Sequence, residues 1–129
     1  MVVKRLDRAV IAAASCSIRK GDLYMEISKS DWKLYRKKIA DWQENFMSRL
    51  NNEYIALLSA DDKIASDKFW ELEKRIKDDR RHPGVIIEMS KSNAVFDIVR
   101  LIKLDVITYD DLADFSDDLQ QAVKALLDR

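Results

Sequence analysis

His82 and Cys16 are the one histidine and the one cysteine of this 129-residue chain. They bound any nucleophilic or metal chemistry it could carry. A Cys–His pair would need the two side chains adjacent in space, and nothing in the sequence brings them together. A zinc ion on the same two residues lacks obvious further ligands. The plainer role for His82 is either to complete a helix C-terminus or to precede Pro83 as a surface residue. Carboxylates form one cluster, Asp105, Asp110, Asp111, Asp114, Asp117 and Asp118. A divalent ion needs several oxygens converging on one point. This series lacks the glycine and closing glutamate of a calcium loop, and capping or first-turn roles account for Asp111, Asp117 and Asp118. No catalytic residue, metal ligand or cofactor is expected, and the chain reads as a non-enzyme.

Two basic groups remain. Lys33, Arg36, Lys37 and Lys38 form one; Lys74, Lys77, Arg80 and Arg81, with Arg75, form the other. Both are candidates for contact with phosphates or with a partner. Glu73, Asp78 and Asp79 interleave the second group and weaken its field. The 23 basic and 23 acidic residues cancel, so there is no global pull toward nucleic acid or an anionic membrane. The balance is uneven along the chain: residues 1–38 hold ten basic and four acidic side chains, and residues 105–129 hold seven acidic and two basic. Such ends are usually solvated or mutually attracted. The functional alternative is a bipolar surface that docks a partner or stacks head to tail.

The elements that position these groups are helical. The chain has two glycines and one proline, too few for the turns a sheet requires. Ser28 and Ser30 offer N-caps to a long amphipathic helix over about 30–58. Trp32, Tyr35, Ile39, Trp42, Phe46, Leu50, Tyr54 and Leu57 recur there at steps of three or four, one side of a coil of 3.6 residues per turn. A stripe this aromatic is a core face before it is a ligand-stacking platform. Asn51 and Asn52 are its weak point. Ser59 with Asp62, and Ser66 with Asp67, signal the start of a second helix. Ile64, Phe69, Leu72 and Ile76 line one of its faces, with Trp70 beside them. Glu71 with Arg75 and Glu73 with Lys77 stand in the favourable acid-first i,i+4 order.

Pro83-Gly84 is the sharpest break in the sequence. Proline fits the first turn of a helix, so a central apolar helix over about 84–104 is expected. Val85, Met89, Phe96 and Val99 share one side of it, and Ile87, Val95, Ile98 and Ile102 an adjacent one. The corner invites a helix-turn-helix reading, but residues 85–104 are too apolar for a recognition helix. Thr108 with Asp111 opens a short helix as a capping box, and Ser116 caps the last, which turns Leu119, Ala122, Val123 and Leu126 inward.

Residues 1–24 stand apart, with a basic start, a small-residue apolar run from Ala9 to Ile18, and Gly21. Asp7, Arg8 and the alanine-rich core argue against an export signal. The segment is expected to be an N-terminal extension or a short packed helix, and Met25 could be the biological start. One unpaired cysteine fits a reducing compartment. No apolar run approaches the ~18–20 residues needed to span a bilayer.

Residues 69–76 (FWELEKRI), 83–89 (PGVIIEM) and 111–119 (DLADFSDDL) resemble a group of short, uncharacterised, all-helical bacterial proteins associated with mobile genetic elements. The resemblance covers residues 25–129. It implies a small cytoplasmic protein accessory to element maintenance or host defence, and it brings no activity or site residues with it.

The expectation is therefore an all-α bundle of four to five helices, with residues 25–129 as a single helical domain. Its expected function is non-catalytic protein interaction, with a protein partner or a second copy and no membrane. The alternative is a nucleic-acid-binding regulator that uses the two basic groups.

Overall fold

A helix of 31 residues organises the protein. It is α1, Lys29–Ser59, and at 1.5 Å per residue it is about 46 Å long. Ser28 caps it by accepting a hydrogen bond from the Asp31 N–H at 3.1 Å. Tyr35, Ile39, Trp42, Phe46 and Leu50 are buried on one stripe, as the spacing requires. The stripe is a chain of ring contacts: Trp32–Tyr35 at 6.0 Å, Tyr35–Trp42 at 6.2 Å and Trp42–Phe115 at 6.2 Å between centroids. Asn51 and Asn52 do not interrupt the helix.

The computed structural model describes residues 26–129. The extension or short helix expected over residues 1–24, Cys16 included, lies outside the described residues. Among the described residues there are four α-helices, two 3-10 turns and no strand. After α1 come α2 (Ala65–Asp79), a 3-10 turn at Lys91–Asn93, α3 (Ala94–Lys103), a 3-10 turn at Tyr109–Leu112 and α4 (Asp117–Leu127). The start signal at Ser59 with Asp62 is misplaced, since Ser59 is still part of α1. The one at Ser66 with Asp67 falls in the first turn of α2, whose N-cap is Ile64, with no capping side chain.

The central apolar helix expected over 84–104 is corrected to Ala94–Lys103. Pro83 and Gly84 are buried in a turn, where the Val85 and Ile86 N–H groups both reach the His82 carbonyl, at 2.8 and 2.9 Å. Two contacts fix this corner. Gln43 donates to the Pro83 carbonyl at 3.0 Å, and Gly84 lies so close to the Phe46 ring that a Cβ would collide with it. Beyond the corner residues 86–90 are not helical. Val85, Ile87 and Met89 pack on the core while Ile86 and Glu88 face out. That is a two-residue period in a β-branched run, and its geometry overrides the helical reading.

α3 is the most deeply set helix, with Ala94, Val95, Ile98, Val99 and Leu101 buried. It ends in a Schellman motif: the Val106 N–H reaches the Leu101 carbonyl at 2.9 Å and the Asp105 N–H reaches that of Ile102 at 3.0 Å. Asp105 stands at the left-handed position, φ 63°, where glycine is usual. Arg49 secures this turn by donating to the Asp105 and Val106 carbonyls at 2.7 and 3.1 Å. The capping box at Thr108 and Asp111 forms as expected.

Ser116 caps α4 by accepting from the Leu119 N–H at 3.2 Å. Its own hydroxyl and N–H donate to Asp31, at 2.5 and 3.0 Å. Asp31 is the one buried charged residue among those described, 4% exposed. The starts of α1 and α4 are thereby tied together. One apolar core results, from Ile27 and the α1 stripe through α3 to Leu112, Phe115, Leu119 and Val123.

Candidate interaction site

The core stops short of the far end of α1. None of the fifteen residues of α2 is buried. It folds back antiparallel on the last turns of α1 through polar contacts. Tyr54 donates to Asp79 at 2.6 Å, Arg75 to Glu53 at 2.7 Å, and Lys68 to the Leu58 carbonyl at 3.1 Å. The Arg75 guanidinium also lies over the Tyr54 ring, 5.6 Å from its centroid. Burial, followed by the hydrogen bond to Asp79, lifts the Tyr54 hydroxyl to about 12.

This hairpin carries most of the uncovered apolar surface. Ile55, Leu58, Ile64, Phe69, Trp70 and Ile76 are exposed, six of the eight large hydrophobic side chains so exposed among the described residues. Phe69 and Trp70 are 61% and 62% exposed and meet edge to face at 4.9 Å. Of the apolar face Ile64, Phe69, Leu72 and Ile76, only Leu72 is partly covered, and the other three are turned to solvent. A groove of about 310 Å³ begins where Met47, Tyr54, Ile76, Arg80 and Val85 converge. Leu50, Asn51 and Asp79 complete its lining. Ile55 and Leu58 lie one and two helical steps beyond Asn51 on α1, and Phe69 lies two turns before Ile76 on α2. Isolated apolar residues on a surface are ordinary; a row of them along a groove marks a binding face.

The basic residues singled out in the sequence separate into two places. Lys33, Arg36 and Lys37 are exposed near the start of α1. Arg36 lies over Trp32 at 5.3 Å, and Lys38 pairs with Asp114 at 3.1 Å. Lys33 and Lys37 border a shallow depression that also includes Asp31 and Asp114, which offsets their charge. Lys74, Lys77, Arg80 and Arg81 are exposed on α2 and just beyond it. The α1 turns that the two groups flank are separated by about 20 Å of helix, so the fold does not merge them into one basic surface.

Comparison with models of protein families, with curated proteins and with solved structures returned no match. The chemistry must be read from the geometry. His82 is half-buried, with its ring stacked on Phe46 at 4.5 Å and its Nδ1 accepting from the Gly84 N–H at 3.0 Å. It holds the corner just past the end of α2, with its N–H on the Asp79 carbonyl at 2.9 Å. Of the two roles expected, the one at the helix C-terminus fits and the open surface residue does not. Burial lowers its pKa, Asp79 opposes that, and Arg100 and Arg49 add to it. Among the described residues no group of three or more His, Cys, Asp or Glu could hold a metal ion, and no helix is long and apolar enough to cross a membrane.

The sequence reasoning missed Asp97 and Tyr35 as a polar feature of the core. Asp97 is lifted to about 6, chiefly by burial, with Arg100 opposing and Glu88 adding. The Tyr35 hydroxyl is buried without a hydrogen-bond partner, and burial, with the nearby Asp97 charge, raises its pKa. The helical period marks Tyr35 as inward but gives no sign that its hydroxyl goes unmatched.

Proposed function

We propose that this protein is a non-catalytic helical interaction module whose binding face is the α1–α2 hairpin. The observation that supports this is the uncovered row of Ile55, Leu58, Phe69 and Ile76 beside Trp70. Exposing that much apolar surface is unfavourable for a free monomer, and a partner that covers it recovers the hydrophobic free energy. A bundle core holds the hairpin at one end and leaves its groove open. The resemblance to proteins of mobile elements supports reading the module as a cytoplasmic accessory of such an element.

The test is affinity capture from the native cell with the full chain and with a Phe69→Glu/Trp70→Glu variant. Both side chains are exposed, so the variant should fold. The expected result is a specific set of captured proteins that the variant loses. Identical captures by the two proteins would remove the hairpin as the binding face. The nucleic-acid alternative predicts a complex that weakens steeply with salt. On the interaction reading a gel-shift series gives none, even at low salt.

A further inference from the structure

We infer that the occupant of the hairpin groove is a second copy of this chain, paired through α2 in antiparallel, two-fold fashion. This rests on the proposal that the hairpin is the binding face. Two observations select a second copy over other partners: the order of charges along the exposed face of α2, and the size of the apolar surface.

The outward face of α2 presents Phe69, Trp70, Glu73, Ile76, Lys77 and Arg80, all exposed. The acid precedes the bases. In a two-fold antiparallel pair centred at residue 75, Glu73 of each copy stands opposite Lys77 of the other. In the same register Trp70 meets Arg80, a cation over an indole face, and the two Ile76 side chains flank the axis, one residue to either side of it. An isologous interface needs a surface complementary to itself, and this sequence of side chains is. A parallel pair would instead set Glu73 against Glu73 and Lys77 against Lys77.

The area fits a reversible dimer. Aromatic side chains remove ~150–250 Å² when fully buried. At 44% to 62% exposure, Ile55, Leu58, Phe69, Trp70 and Ile76 leave on the order of 100 Å² each. That is about 500 Å² per copy and about 1,000 Å² for the pair, near the lower bound for a specific interface. Association in the micromolar range is therefore expected, rather than an obligate dimer.

Sedimentation equilibrium of the full chain over micromolar to hundreds of micromolar tests this. The expected result is a monomer–dimer equilibrium. Glu73→Lys and Lys77→Glu should each weaken it at least tenfold, because each places like charges opposite one another. Mixing the two variants restores the dimer, since each supplies the complement of the other, and the double swap in one chain restores it as well. Both residues are exposed, so folding is unaffected, and circular dichroism checks that. A chain that stays monomeric over the whole range overturns the inference, as do single reversals that leave the dimer intact. In that case, capture that depends on Phe69 and Trp70 would still support the hairpin as a binding face for a different partner. Loss of both results would remove the function proposal too.

Discussion

Replacing Asp31 with alanine should be among the most costly single changes outside the apolar core. Its carboxylate is 4% exposed and accepts two hydrogen bonds from Ser116, N–H at 3.0 Å and Oγ–H at 2.5 Å. Hydrogen bonds to a charged group contribute roughly 1.5–3 kcal/mol, and the larger loss comes when a buried partner is left unmatched. Asp31→Ala leaves the Ser116 N–H without its acceptor and frees the hydroxyl that orients the α4 cap. The two bonds share one carboxylate, so they do not simply add, and about 3 kcal/mol is expected. Ser116→Ala removes the cap, about 1 kcal/mol, and one of the two bonds to Asp31, for a total of about 2 kcal/mol. Because the residues act as one unit, the double variant should fall short of the sum of the singles by about 1 kcal/mol or more. Urea unfolding followed by tryptophan fluorescence is the assay, since Trp42 touches Phe115 beside this junction. Asp114→Ala is the control, as its pairing with Lys38 is exposed and should cost under about 0.5 kcal/mol. An Asp31→Ala loss as small as the control, or strict additivity in the double variant, would refute the reasoning.

Asp97→Asn should stabilise the protein at neutral pH. The folded carboxyl titrates at about 6 against an ordinary 3.8, so the folded state holds the proton more tightly. The contribution of Asp97 is therefore fully present below about pH 4 and is lost as pH rises through about 6, a change of up to about 3 kcal/mol; urea midpoints across that range should fall in the native chain and stay flatter in the variant. Gly84→Ala should destabilise by about 2 kcal/mol, because the added methyl meets the Phe46 ring, and thermal unfolding reads the loss. Asp105→Gly should stabilise by up to about 1 kcal/mol by relieving the left-handed position at φ 63°, with Arg49 still bonded to the backbone carbonyl; calorimetry measures the gain. Trp70→Ala should leave the stability of dilute monomer within about 0.5 kcal/mol, since the ring is 62% exposed.

The sequence alone determined whatever depends on neighbours along the chain. The α1 stripe was legible because a period of 3.6 held over 31 residues leaves one inward side. The caps at Ser28, at Thr108 with Asp111, and at Ser116 were legible because a cap joins residues about three apart. The stretch after Pro83 was misread because Val85 to Met89 fit either period, and only the contacts of Gln43 and Phe46 from α1 with Pro83 and Gly84 hold a turn where a helix was expected to start. The tie between Asp31 and Ser116 spans 85 positions and has no local signature, since an aspartate in a first turn looks alike whether it faces water or a distant serine. The fate of Phe69, Ile76 and their neighbours was likewise hidden. An amphipathic helix shows the same pattern whether its own chain or another molecule covers its apolar side, and only the fold, by ending the core at Leu50, leaves that side open.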